Sequence, residues 1–265
     1  TGHYNIFGLL VVICVGLVVG KLVDGGWSRI SRWFAITAIA VGSAMVLATQ
    51  SRQSIVILFV CAGLALFMTQ RESGGFRRAL GAIALSLGVV LMFASLGYTF
   101  SSTFERLLDL KNVSFWQDQV VKNRGYALQV VSVATLKSAP VLGIGPGSLT
   151  GVFSGGPAPV GYAELALDSV AANFIGDVGW VSVLAQLGIL GVAAVGSIFM
   201  LPFRAAKYGA IGERISFLWV SVALILAMFA SSPVTYKGPS SLLWIVVGVA
   251  AGVLRRGRNG EMEGY

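Results

Sequence analysis

Charge is what this sequence has least of. Only 11% of its residues are Asp, Glu, Lys or Arg, against roughly 25% in an ordinary soluble domain. Histidine is nearly absent: His3 is the single one, at the extreme N-terminus. A His-rich metal site or a Ser–His–Asp triad therefore has almost no raw material. The two cysteines, Cys14 and Cys61, lie inside apolar segments. There they read as small hydrophobes, with no zinc spacing and no message about redox compartment. No basic stripe with interleaved aromatics accompanies the net charge of +8, so nucleic acid is not an expected partner.

What is present is apolar surface. The composition is 56% hydrophobic with a mean hydropathy of +0.82. A soluble fold this apolar needs a larger core than 265 residues enclose. An all-α polytopic membrane protein is the expected class. A spanning helix takes about 20 apolar residues, and backbone in lipid pairs its polar groups internally, which favours helices over open strands. The candidate spans are 4–20, 33–49, 54–70, 79–100, 178–201, 215–232 and 242–254, about seven in all. Gly and Ala are frequent in 79–100 and 242–252, which suits close helix–helix approach. The chain starts at Thr1 almost directly on a span, so an N-terminally incomplete chain with further spans is expected.

Residues 1–100 thus form the first four spans, 101–177 a long loop, 178–254 three more spans, and 255–265 a basic tail. Lys and Arg in short connections set orientation. One set of connections carries Lys21, Arg29 and Arg32, then Arg71, Arg77 and Arg78, then Arg204, Lys207 and Arg214, then Arg255, Arg256 and Arg258. The alternate set holds only Arg52 and Lys237. The basic side is cytoplasmic by this rule, and 101–177 faces outward.

Ionisable groups gather on that outer side. Arg52 sits in the tight connection Thr49-Gln50-Ser51-Arg52-Gln53. It is either a snorkelling side chain or an anion site, since a guanidinium fork fits phosphate oxygens. Arg124, with Lys122 beside it, opens a helix of moderate amphipathicity that ends at Ser138-Ala139-Pro140. Both are candidate phosphate ligands or solvated loop charges. Gly143-Ile144-Gly145-Pro146-Gly147-Ser148 is foremost a tight turn, with a backbone phosphate cradle as the lesser reading. It lacks the Gly-Lys-Ser/Thr ending of a Walker loop. Glu164 and Asp168 share a helical face. Asp177 falls at a membrane edge, as a helix N-terminal charge or as a base that accepts a proton from an attacking hydroxyl.

These pieces, in this order over roughly residues 35–200, resemble the O-antigen ligase and Wzy-type polymerase superfamily. Ser51-Arg52 after an apolar span looks like its Ser-Arg signature. Arg124, a helix, then Pro140-Val141-Leu142-Gly143-Ile144-Gly145-Pro146-Gly147-Ser148 looks like its Arg…Pro-x-x-Gly-x-Gly-x-Gly-Ser loop. Asp177-Val178-Gly179-Trp180 leading to Leu184-Ala185-Gln186-Leu187-Gly188-Ile189-Leu190-Gly191 looks like its lead-in to the following span.

The resemblance implies a multi-span, GT-C-like glycosyltransferase of the bacterial cytoplasmic membrane. Its donor would be an undecaprenyl-diphosphate-linked oligosaccharide and its acceptor another glycan or lipid. Membrane lipids and a chain-length regulator protein complete the expected partners. No cofactor, nucleotide sugar or metal is implied. Ligases carry a His-Asn pair before the span after the loop. Here that region reads Ala171-Ala172-Asn173-Phe174-Ile175-Gly176-Asp177, which favours a polymerase of O-antigen or exopolysaccharide over a ligase. Arg52, Arg124 and Lys122 are then expected on the diphosphate, with the backbone at Gly143, Gly145, Gly147 and Ser148 beside it. Asp177, and second Asp168, are the expected bases. A lipid-linked glycan flippase or transporter without catalysis is the rival. Transporters place charges or broken helices near the midplane, and the spans have almost no ionisable residue at their centres.

Overall fold

The computed structural model describes residues 2–25, 28–49, 51–69, 80–81, 84, 113–145, 178–229, 244–255 and 257. All regular structure among these residues is helical. The principal helices are α1 (Gly2–Asp24), α2 (Arg29–Ala48), α3 (Arg52–Thr69), α4 (Tyr126–Ser138), α5 (Gly179–Ala206), α6 (Ile211–Ala227) and α7 (Trp244–Arg255). Four of them are long and apolar enough to cross a membrane, over Ile6–Asp24, Ile30–Ala48, Arg52–Thr69 and Gly179–Ala206. α6 has 17 residues, at the lower end of the range for a crossing, and the described part of α7, Trp244–Arg255, is a shorter apolar helix. Of the expected span 79–100, only Leu80, Gly81 and Ala84 are described, and they are helical.

Helices extend beyond the apolar windows that located them. α1 continues through Lys21 to Asp24, and α2 starts at Arg29. Helical hydrogen bonding does not stop at the edge of the hydrocarbon, whereas an apolar run stops at the first charge. Ser28 caps α2, its Oγ accepting from Ser31 N at 3.2 Å.

The chain divides into two compact units. The first comprises 1–107, 199–226 and 236–265; the second comprises 108–198 and 227–235. In the first, α1 packs against α2 and α3. Leu9, Val12, Ile13, Val19 and Leu22 of α1 are buried with Ile39 and Val46 of α2 and with Ile55, Ile57 and Cys61 of α3. The opposite faces are apolar too: Trp33, Phe34, Phe59 and Phe67 are exposed, Phe34 at 73%. A helix apolar all round lies in a large core or a membrane, and at these lengths such helices are long enough to span one.

Lipid tails are as apolar as Leu, so helices in a membrane associate by close packing and polar contacts rather than by exclusion from water. α1 and α6 show both. A Cβ on Gly16 would strike the Trp219 ring, and one on Gly20 would strike Gly212 O. Trp219 Nε1 donates to Val12 O at 3.0 Å, and Asp24 Oδ1 accepts from Gly212 N at 2.8 Å, capping α6 from the end of α1. Glu213 reaches back to Ala210 N at 3.2 Å as in a capping box. Close approach through small residues therefore sits in α1. A Cβ on Gly248 or Gly252 of α7 would meet nothing within 4 Å among the described residues, while Ala250 on the same helix is fully buried.

Candidate functional site

The short connection before α3 is built from hydroxyls. Thr49 Oγ1 donates to Val46 O at 2.6 Å and accepts from Ser51 N at 3.3 Å. Ser51 Oγ accepts from Ser54 N at 3.2 Å and shares a hydrogen with Ser54 Oγ at 2.9 Å. Thr49, Ser51 and Ser54 are all buried. Ser51 is thus the N-cap of α3, and Arg52 its half-buried first residue. A cation at this end of a helix opposes the macrodipole, so the position favours an anion nearby over a second cation.

Arg124 lies in the second unit, on a feature the sequence does not announce. After a helical turn at Val113–Phe115, the chain forms a ten-residue π-helix, Trp116–Gly125, before entering α4. π-Helices are rare and cluster at functional sites. Arg124 is in its last turn, half-buried, and its Nε is buried without a hydrogen-bond partner among the described residues. A buried guanidinium donor left unmatched costs free energy, and an incoming acceptor relieves it. Lys122, two residues earlier, differs: its Nζ donates to Asp118 Oδ1 at 2.7 Å, and both side chains are mostly exposed. Such a pair contributes at most a few tenths of a kcal/mol and leaves Lys122 already matched with a carboxylate.

α4 ends as the X-Pro rule predicts, at Ser138, with Ala139 N donating to Thr135 O at 2.8 Å. It buries Ala127, Val131 and Thr135 along one face. The chain beyond it, 139–145, meets a break inside α5. At Gly188 the backbone has φ 64° and ψ −162°, a region open essentially to glycine alone. Ile144 N donates to Ala185 O at 2.8 Å and Gly145 N to Gln186 O at 3.1 Å. In return Ile189 N donates to Pro140 O at 2.9 Å and Leu190 N to Val141 O at 3.3 Å. The N–H of Gly143 goes to Ala139 O at 3.0 Å. All three N–H groups from Gly143 to Gly145 are therefore spent on carbonyls, and this part of the glycine run acts as a turn that splices a helix. A Cβ on Gly143 would stand 2.5 Å from Gln186 C, while one on Gly145 would meet nothing within 4 Å among the described residues.

Between α4 and α5 lies an apolar groove of about 400 Å³, lined by Leu128, Ser132, Trp180, Leu184, Ile189 and Phe229 among others. Leu128 is one helical turn beyond Arg124. Trp180 N, at the start of α5, donates to Met228 O at 3.2 Å.

The site residues expected from sequence thus divide. Arg124, Lys122, Gly143 and Gly145 belong to the second unit and Arg52 to the first. Asp168, Asp177, Glu164, Gly147 and Ser148 lie outside the described residues. Sequence reasoning overlooked Gly188 as the partner of the glycine turn. Its one signal, a Gly in an apolar run that also holds Gly191 and Gly196, is weak in a chain with 34 glycines. Among the described residues, no three His, Cys, Asp or Glu side chains are grouped to hold a metal ion. Compared with family models, with curated proteins and with solved structures, the chain matches none.

Proposed function

We propose that this chain is a membrane glycosyltransferase that polymerises glycan repeat units carried on undecaprenyl diphosphate, at the outer face of the bacterial cytoplasmic membrane. The proposal includes a GT-C-like fold of about seven spans. The observation that carries it is Arg124: a half-buried guanidinium at the end of a π-helix, with a buried Nε that lacks a partner among the described residues. One turn farther along, the apolar groove beside α4 suits a hydrocarbon chain. A cation next to a lipophilic groove matches a phosphate-headed lipid donor. The two motifs that support the resemblance after Arg124, Pro140–Gly145 and Ala185–Leu190, are also bonded to one another in space.

In the proposed reaction, the acceptor hydroxyl attacks the anomeric carbon of the donor glycan and the C–O bond to the diphosphate breaks. Undecaprenyl diphosphate leaves with the bonding electrons, and a carboxylate takes the hydroxyl proton. The leaving group is already good, so the protein's task is charge stabilisation and positioning. Arg124 takes the diphosphate charge, and Arg52 is a further candidate that rests on the resemblance alone. Asp177 is the base, with Asp168 the second choice. Inversion at the anomeric carbon is what the resemblance implies.

The test is the polymer ladder made by cells carrying Arg124→Ala, Arg52→Ala or Asp177→Asn at normal membrane levels. Loss of one charge-assisted contact to the diphosphate, about 1.5–3 kcal/mol, lowers turnover by roughly tenfold to a hundredfold. An unchanged ladder in Arg124→Ala refutes the diphosphate role. The flippase reading draws on one feature, the break in α5, since broken helices form transporter sites. Here four backbone groups at that break are taken by 139–145. Purified protein given undecaprenyl-diphosphate oligosaccharide separates the two: covalent transfer supports the enzyme, and movement without transfer supports the flippase.

A further inference from the structure

We propose that Gly143 and Gly188 are positioning residues that hold α4, and with it Arg124, in place by inserting the 139–145 turn into the hydrogen-bond ladder of α5; the functional part of this rests on the reading of Arg124 given above. In an uninterrupted α-helix Ile189 N would donate to Ala185 O and Leu190 N to Gln186 O, four residues back. At Gly188 the backbone leaves the helical region, and the helix is kinked there. The same two carbonyls accept from Ile144 and Gly145, and the same two N–H groups donate to Pro140 and Val141. At this kink the turn makes four backbone bonds to α5. Every bond is backbone to backbone, so the geometry depends on conformation rather than on side-chain chemistry.

Glycine is required for this exchange at both strands of the splice. Gly188 has φ 64° and Gly143 φ 68°. A Cβ on Gly188 would run into Val141 and would lie 2.6 Å from Gly143 N, and one on Gly143 would lie 2.6 Å from Ala185 O and from Gly188 N. Gly188→Ala therefore favours a closed ladder through residue 188, because alanine takes helical angles readily. Closing the ladder removes the acceptors of Ile144 and Gly145 and frees the turn. α4 is a rod of 13 residues tied at its C-terminal end to that turn. Arg124 lies just before its other end, so release of the turn displaces the guanidinium.

The experiment uses the full chain with Cys14→Ser, Cys61→Ser and a reporter Val133→Cys on the exposed side of α4. Gly188→Ala, Gly143→Ala and Gly145→Ala are compared with the parent for the rate of labelling by a polar thiol reagent. The same set is compared for kcat and KM with undecaprenyl-diphosphate oligosaccharide. Expected is a several-fold change in labelling for Gly188→Ala and Gly143→Ala, with kcat lowered in both. A smaller change is expected for Gly145→Ala, where φ is 101° and strains alanine but the Cβ meets nothing within 4 Å among the described residues. A second reporter, Ser28→Cys in the first unit, labels as in the parent if the variants fold; where Gly188→Ala does not fold, Gly143→Ala and Gly145→Ala carry the comparison. Unchanged labelling in the folded variants overturns the splice as a positioning device. Changed labelling with unchanged kcat and KM overturns its link to the site. If labelling changes as expected but the parent transfers no glycan, the splice stands and the glycosyltransferase reading falls. If Arg124→Ala abolishes transfer while the glycine variants match the parent, the reading stands and the positioning role falls.

Discussion

At the scale of single residues, matched and unmatched polar groups separate structural roles from candidate chemistry. Lys122 and Arg124 are two positions apart and equally basic in the sequence, yet one is paired with Asp118 in solvent and the other has a buried, unmatched Nε. Burial against a particular backbone produces that difference, and composition cannot show it. Asp24 is the opposite case, a carboxylate with a structural task. Its Oδ1 takes the Gly212 N–H at the start of α6. Asp24→Ala is expected to destabilise the protein by about 1 kcal/mol, as for loss of an N-cap, while Asp24→Asn, which keeps an acceptor oxygen, costs less. Unfolding midpoints in detergent check this: equal losses for the two variants would mean that the hydrogen bond contributes little. Trp219 shows why some core positions stay hidden. Its ring fits the space left by Gly16, and its Nε1 bonds Val12 O. Nothing in either local sequence names the other as partner.

At the scale of elements, four of the expected spans were legible because hydropathy marks the segments long and apolar enough to enter lipid. The segments 4–20, 33–49, 54–70 and 178–201 all fall inside or almost wholly inside helices of spanning length. The faces of these helices were not legible, since both sides are apolar. α3 illustrates it: Ile57, Cys61 and Ala65 are buried, whereas Val56, Phe59 and Val60 are exposed, and both groups read alike on any hydropathy scale. A charge near mid-helix on the lipid side meets hydrocarbon. Val60→Asp is expected to cost about 3 kcal/mol of insertion free energy, seen as a drop in the inserted fraction in a translocation assay. An insertion efficiency equal to that of the parent would contradict α3 as a span. The end of α4 was readable from Ala139-Pro140, because proline's ring restricts the residue before it. The π-helix ahead of it was not, as no cap or breaker marks Trp116–Gly125. The break at Gly188 was hidden for another reason: glycine permits that backbone but does not demand it. The demand comes from a turn more than forty positions away in the chain.

At the scale of the whole molecule, orientation is the main expectation left to experiment. Lys21, Arg32, Arg204, Lys207, Arg214 and Arg255 all stand at helix ends or in the turns between them. The positive-inside rule puts these ends in the cytoplasm and α4 outside. With single cysteines in a background free of Cys14 and Cys61, Ser138→Cys in intact cells is expected to react with a membrane-impermeant thiol reagent. Ser28→Cys reacts only after permeabilisation. The reverse pattern would invert the topology and exclude a site on the outer face.

The sequence by itself determined that this is an apolar, helical, multi-span chain, because the cost of burying charge in hydrocarbon is large and depends only on local composition. It also located the few polar positions worth testing, since so few exist. Only the tertiary structure decided which glycines are packing sites, which basic side chain is already paired, and that 139–145 completes a broken helix. Those outcomes depend on contacts between distant segments, where close approach and hydrogen-bond exchange are set by neighbours that no local window contains.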